Sequence, residues 1–203
     1  MRIIILFIFI FLSGYLMSQD TIVLLSGDEI PVQSYKVNTS DNLIDFVNKR
    51  GKNKLIETDF VFCVKKSNGE EDLIYFDSVI EYDSISIGEM RSYVEGAMIA
   101  RKKYHAPLAT ISGFVVGAGS VFLFPEVGLP VFYSPVLPGA YSAVIGSLNP
   151  NQNKIIEKYP DRKENPYFLK GYSEMARQKR INNVVKGSIA GIVAMIVTAI
   201  IIN

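Results

Sequence analysis

The chain is poor in the side chains that most metal sites and many enzymes require, since its 203 residues include one cysteine, one histidine and no tryptophan. The single cysteine, Cys63, cannot form an internal disulfide, and we predict that it is a small apolar residue on a half-buried strand. With one cysteine and one histidine, His105, most structural zinc sites are excluded, because they need four such ligands. The net charge of +1 argues against nucleic-acid binding, so no nucleic-acid partner is expected.

Motifs that bind nucleotides or support catalysis are also missing: there is no Gly-x-x-x-x-Gly-Lys-Ser/Thr loop, no dinucleotide fingerprint and no His-Glu-x-x-His. Carboxylates cluster at Glu70, Glu71 and Asp72, and one hypothesis is that they form the acid–base pair of a hydrolase. Exposed charges on a hairpin are the simpler interpretation of this cluster. We therefore predict that the protein is not an enzyme and has no catalytic, cofactor-binding or metal-binding residues.

The N-terminus has the pattern of an export signal. Apolar residues make up 49% of the chain and the mean hydropathy is +0.23, which is typical of a protein with membrane segments. The chain starts with Met1-Arg2, continues with an apolar run from Ile3 to Leu12 and then turns to small residues. This order predicts a secretory signal peptide over 1–18, with cleavage after Ser18. An uncleaved anchor is the alternative, and either one exports the residues that follow.

Residues 19–87 have the pattern of a small antiparallel β domain. Runs rich in apolar and β-branched residues predict strands, and Gly, Asn and Asp between them predict turns. The predicted strands are 21–25, 30–37, 42–47, 60–64 and 73–76, with a basic loop at 49–54.

Residues 88–106 are predicted to form a connecting helix, which Ser86 can cap. Small and aromatic residues recur on one face of this helix at helical spacing, and we expect that face to pack on the sheet. The residues of this face are Tyr93, Ala97, Ala100 and Tyr104.

Residues 107–149 are predicted to be a transmembrane helix followed by a Gly/Pro-rich, membrane-associated segment. The first 18 residues, 107–124, carry no charge and span about 27 Å as a helix, close to the thickness of the membrane hydrocarbon. Prolines interrupt the remainder, so we expect a re-entrant segment that ends in a short helix over 139–148. A further membrane crossing is the alternative.

Residues 150–183 are predicted to be a basic polar segment containing a helix, and 184–203 are predicted to be the C-terminal transmembrane helix. The fold class is therefore an α+β membrane protein, with a small antiparallel β domain followed by a membrane-embedded helical half.

Each predicted transmembrane helix contains a Gly-x-x-x-Gly motif. Gly113 and Gly117 lie in the first helix, and Gly187 and Gly191 lie in the second. Glycines at this spacing share one helix face and let another helix approach closely. We predict that these four residues are helix-packing residues, through which the helices pack on each other or on a second copy of the chain.

Charge favours two membrane crossings. Residues 20–87 have 13 acidic and 7 basic residues, a net −6, whereas 150–186 have 4 acidic and 9 basic residues, a net +5. Lys and Arg are enriched in cytoplasmic loops. With the β domain exported, two crossings would place 150–183 in the cytoplasm. Arg101-Lys102-Lys103 then lie on the exported side, against the rule.

The chain resembles small exported membrane proteins of Bacteroidota in two regions. These are residues 20–30, which follow the predicted signal, and Gly171-Tyr172 with the basic run before 187–191. The resemblance implies an exported, membrane-bound compartment and this order of domains. It transfers neither an activity nor site residues to this chain.

Together these patterns predict a non-enzymatic membrane protein of the cell envelope, acting as an interaction or anchoring module. We expect it in the cell inner membrane, with the β domain on the periplasmic side. The expected partners are membrane lipids and either an envelope protein or another copy of the chain. The alternative is an oligomeric, membrane-active or channel-like protein built on 107–149.

Overall fold

A computed structural model describes residues 19–75 and 85–202 of the chain. The chain divides into two compact units, Met1–Val94 and Glu95–Asn203. The first unit contains a six-stranded antiparallel sheet and the second is helical, which confirms the predicted α+β class. The predicted signal peptide lies outside the described residues.

The sheet has the strand order β4-β3-β2-β1-β5-β6, with every neighbouring pair antiparallel. Its strands are β1 (Asp20–Leu24), β2 (Glu29–Asn38), β3 (Leu43–Asn48), β4 (Asn53–Glu57), β5 (Val61–Lys65) and β6 (Glu71–Leu73). Four of the predicted strands are confirmed. The fifth prediction, 73–76, shares only Leu73 with β6, and residue 76 lies outside the described residues. Strand β4 was not predicted because its polar sequence suggested only a loop.

The core of the β domain consists of large side chains from several strands, which lie on the same face of the sheet. Ile22 in the central strand β1 is opposite Ile30 on one neighbour and Val64 on the other. The two hairpin turns that the sequence predicted each contain a glycine with a positive φ angle, 75° at Gly27 and 90° at Gly69. The buried residues of this core are Ile22, Val32, Ile44, Phe46, Val61, Val64 and Ile74.

Five α-helices follow within residues 85–202: α1 (Ile87–Lys103), α2 (Pro107–Glu126), α3 (Val136–Ser147), α4 (Gln152–Lys158) and α5 (Pro166–Ile202). The 37 residues of α5 extend about 55 Å. It therefore joins the predicted basic helix and the C-terminal transmembrane helix into one element. Helix α4 was not predicted, and α3 begins three residues earlier than expected because Pro138 is accommodated in its first turn.

Helix α1 begins with a reciprocal cap. The backbone N–H of Ser86 donates to the Glu89 carboxylate at 2.9 Å, and the Glu89 N–H donates to the Ser86 hydroxyl at 3.4 Å. This capping box satisfies amides that the first helical turn leaves without partners. The predicted cap is therefore confirmed.

The small-residue face of α1 has a different partner from the predicted one. Ala97 and Ala100 are buried against Phe168 and Tyr172 of α5. A Cβ atom on Gly96 would lie 3.0 Å from the Tyr172 amide nitrogen. The expectation that this face packs on the sheet was wrong, because small side chains here allow a helix backbone to approach closely.

In the part of the chain that the structure describes, two helices, α2 and α5, are long and apolar enough to cross a membrane. A third apolar stretch, Val131–Ser147 followed by Gln152–Lys158, bends by 60° at a short break. By length and composition, the helical half of the described chain therefore has two helices that could span a membrane, or three spans if the bent stretch counts as one.

Candidate functional site

The closest contact in the helical unit joins α2 to α5 through the four predicted glycines. A Cβ atom on Gly113 would lie 2.9 Å from the Val184 Cα, and one on Gly117 would lie 2.7 Å from the Ser188 Cα. Real Cβ atoms do not approach other atoms this closely. The backbone of α5 therefore occupies the space that side chains would take on this face of α2.

The glycines of α5 make the reciprocal contact. A Cβ atom on Gly187 would lie 2.9 Å from the Thr110 carbonyl carbon, and one on Gly191 would lie 2.8 Å from the Ala118 amide nitrogen. By contrast, Gly119 of α2 has nothing within 4 Å of such an atom. The structure thus brings all four predicted residues to one contact within the chain.

A buried hydroxyl adds a hydrogen bond across this contact. The Ser188 side chain, 2% exposed, donates to the Gly113 carbonyl oxygen at 3.0 Å. A second buried hydroxyl, that of Ser120, donates to the Gly117 carbonyl of its own helix at 2.7 Å. Ser188 follows directly after Gly187 and so adjoins the predicted glycine motif, whereas Ser120 was not singled out from the sequence.

The order of these contacts gives the direction of the helices. Gly113 lies against Val184, and four residues later Gly117 lies against Ser188. Both residue numbers rise together, so α2 and α5 are parallel.

Helix α3 runs in the opposite direction to both. The 3-10 turn Val131–Tyr133, just before α3, contacts α2, which ends at Glu126. At the other end of α3, a Cβ atom on Gly146 would lie 2.9 Å from the Ile181 Cδ1, and Arg180 donates to the Leu148 carbonyl. The chain therefore returns along α3 toward the level at which α2 begins.

This packing bears directly on membrane topology. Two parallel helices that both span a membrane cross it in the same direction, so the chain must return between them. The predicted two-crossing topology, which placed 150–183 opposite the β domain, does not fit a parallel pair. The three-crossing alternative fits it, with Val131–Ser147, which includes α3, in the return segment.

The end of α1 is held to α5 by a lysine. The Lys179 amine donates to the carbonyl oxygens of Arg101 at 2.5 Å and Tyr104 at 2.7 Å. The last carbonyls of a helix have no partner within it, and this amine supplies one. Asn183 likewise donates to the Ala106 carbonyl at 3.2 Å, so polar side chains of α5 bridge the break between α1 and α2.

The carboxylates of the hydrolase hypothesis have other partners. Arg91 donates to both oxygens of Glu71 at 2.8 and 2.9 Å, and this contact lowers the pKa of Glu71. Tyr35 and, at 2.9 Å, Lys66 donate to Asp72, and both contacts lower the pKa of Asp72. Because a general acid at neutral pH needs a raised pKa, this arrangement gives the hypothesis no support.

Cys63 is fully buried on β5. Burial, with a smaller contribution from the Glu71 carboxylate, raises the pKa of its thiol to about 12. A thiol of this kind is not a nucleophile at neutral pH. Within 19–75 and 85–202, no three His, Cys, Asp or Glu side chains are placed to hold a metal ion.

No protein-family model, curated protein or solved structure matches the sequence. The fold and the glycine contact define a class: an α+β protein whose helical half is suited to a membrane.

Proposed function

We propose that this chain is a non-enzymatic membrane protein of the cell envelope, in which the helices are the anchor and the β domain is an interaction module. The observation that carries the anchoring role is the inverted distribution of side chains in the helical unit. Glycine and serine lie inside the α2–α5 contact, whereas large apolar side chains point outward; Leu108 is 78% exposed and Ile201 is 77% exposed. Lipid tails, the proposed partners, accommodate such a surface at no cost.

The interaction role is supported by the free edge of the sheet. Among the described residues, strand β4 pairs only with β3, and Leu55 at its centre is 62% exposed. Phe60, which follows in the next turn, is 58% exposed. An unpaired strand edge beside apolar side chains is a surface to which another protein can add a strand. An envelope protein is the partner we propose for it.

The channel-like alternative has less support. It is an oligomer built on 107–149, but the one Gly-x-x-x-Gly motif of this region, Gly113 and Gly117, packs against α5 of the same chain. A second copy could reach these glycines only by displacing α5.

We propose further that the helices lie in the inner membrane with the β domain on the periplasmic side, as the predicted signal peptide requires. With three crossings, the parallel packing would place most Lys and Arg residues of the helical unit on the same side of the membrane as the β domain. Twelve Lys and Arg residues of the helical unit lie in 101–103 and 154–186, and neither 107–149 nor 187–203 contains one. The positive-inside bias favours the opposite orientation. The signal and the charge bias therefore disagree, and an orientation measurement decides between them.

The test is thiol labelling in a Cys63→Ala background. Single cysteines are introduced as Lys52→Cys in the β domain, Asn151→Cys before α4 and Val127→Cys at the far end of α2. Cells with a permeabilised outer membrane are treated with a reagent that cannot cross the inner membrane. We expect labelling at positions 52 and 151, and at position 127 only after the inner membrane is opened.

Each other outcome contradicts one part of the proposal. Labelling at 127 alone would reverse the orientation and place the β domain in the cytoplasm. Labelling at 52 but not at 151 would restore the two-crossing topology and contradict the parallel helix pair. Recovery of the protein in the soluble fraction would contradict the anchoring role.

A further inference from the structure

The parallel packing of the helices brings two cation-rich stretches to the same level. The contacts of Lys179 with Arg101 and Tyr104 place residues 177–186 of α5 beside residues 101–106. These two stretches contain seven Lys and Arg residues and no carboxylate. We call these seven residues the basic girdle: Arg101, Lys102, Lys103, Arg177, Lys179, Arg180 and Lys186.

The girdle lies where the apolar spans begin. Helix α2 starts at Pro107, directly after the first stretch, and Val184 opens the apolar part of α5. The returning segment ends at the same level, since Arg180 donates to the Leu148 carbonyl. In a membrane spanned by α2 and α5, this level would be the depth at which lipid headgroups meet the hydrocarbon. Lys186, inside the apolar part, can extend its amine back to this depth.

The cations of the girdle have two roles. Lys179 and Arg180 are half-buried and donate to backbone carbonyls, so they hold the bundle together. Lys102, Lys103, Arg177 and Lys186 are exposed. Residues 177 and 186 are nine positions apart on α5, which places them on opposite sides of the helix. The exposed cations of α5 therefore lie on two sides of this helix and do not converge on one pocket.

We propose that the basic girdle binds the phosphate groups of anionic phospholipids and so selects these lipids around the helices. This inference rests on the proposed function only in that the helices lie in a membrane. It does not depend on which leaflet surrounds the girdle. Cations near a membrane surface attract anionic headgroups, each with an effect of a few-fold on binding, and the effect decreases with ionic strength.

The test measures lipids bound to the full-length protein in detergent. The protein is titrated with phosphatidylglycerol or with phosphatidylcholine, and native mass spectrometry counts the lipids retained. We expect a preference for phosphatidylglycerol of about tenfold or more, decreasing as salt is raised. The triple variant Lys103→Gln, Arg177→Gln, Lys186→Gln should lose about tenfold of this preference.

A matched control removes the same charge elsewhere. Lys154, Lys163 and Lys170 are exposed and lie outside the girdle, and their triple change to Gln should leave the preference unchanged. An equal loss in both triple variants would mean that net charge alone attracts the lipid, which would overturn the proposal. Equal retention of the two lipids would also overturn it.

Two further measurements cover the remaining outcomes. Inorganic phosphate at the concentration of the lipid should not displace phosphatidylglycerol; displacement would indicate a site for a free anion and contradict lipid binding. If the girdle variant does not fold, as judged by circular dichroism, the three single variants replace it. Each should lose about twofold, and no loss in any of them overturns the proposal.

Discussion

In the β domain the space between elements is filled by large side chains, whereas at the closest helix contact it contains almost no side-chain atoms. Ile22 and Ile44 are completely buried within the sheet's core. At the α2–α5 contact, Gly117 and Gly191 let one backbone lie directly on the other. The two units therefore use side-chain volume in opposite ways, and the reason is the solvent in which each is proposed to fold.

In water, burial of large apolar side chains stabilises the folded state by about 25 cal/mol for each Å² of apolar surface removed from solvent. Lipid tails are as apolar as leucine, so a buried leucine gains little there. Helices in lipid are held by close packing and by hydrogen bonds between helices, and both improve when the backbones approach. Removing methyl groups should destabilise the first unit, and adding them should destabilise the second.

The largest effect is expected in the β domain. Ile44→Ala should lower the free energy of unfolding of this domain by roughly 2–5 kcal/mol, because the lost side chain leaves a cavity in a small core. Amide hydrogen exchange of the full-length protein in detergent measures this locally. Leu55→Ala, at an exposed position on β4, is the control and should change little. Equal effects of the two variants would contradict the assignment of the core.

A single added methyl group should destabilise the helical unit. Gly117→Ala places a Cβ atom against the Ser188 backbone, and we expect a loss of about 1–3 kcal/mol with faster amide exchange in both α2 and α5. Gly119→Ala, two residues away, adds the same atom in open space and is the matched control. If both variants were equally stable, the close contact of α2 and α5 would be wrong.

Most elements could be predicted from the sequence because their signals are local. Runs of apolar and β-branched residues predicted the long strands, the Ser86 cap predicted the start of α1, and 18 uncharged residues predicted α2. Strand β4 could not be predicted, since Asn53–Glu57 is polar at an exposed sheet edge and only pairing with β3 makes it a strand.

The partners of the elements were less predictable than the elements themselves. The glycine motifs indicated a close helix contact, but a motif does not contain the direction of the helix that approaches it. The charge rule then favoured two crossings, because it counts residues in loops and has no information on parallel packing. Similarly, the small face of α1 was wrongly assigned to the sheet. Ala97 and Ala100 indicate that another element packs closely, but not which element it is.

A smaller effect is expected for the buried hydroxyl between the helices. Ser188→Ala removes the hydrogen bond to the Gly113 carbonyl and should cost about 0.5–2 kcal/mol, seen as faster exchange near this contact. Thr198→Ala is the control, because the Thr198 hydroxyl donates to Ala194 of its own helix and is exposed. A stabilising effect of Ser188→Ala would mean that close packing alone holds the contact.

The smallest effect concerns pH and separates the two units by chemistry. Because Arg91 lowers the pKa of Glu71 in the folded β domain, the stabilising contribution of this pair is complete above the unfolded value of about 4.3 and is lost as pH falls through the lower folded value. Both side chains are partly exposed, so the contribution is at most about 1 kcal/mol. Glu71→Gln should therefore lower the stability of the β domain at pH 7 by this amount. It should also make the loss of amide protection in this domain at acid pH shallower.

The α2–α5 contact contains glycine and serine, so its amide protection, corrected for intrinsic exchange, should not change between pH 7 and pH 4. An equal acid response in both units would contradict the role of Glu71, because it would indicate a global effect of acid on the protein.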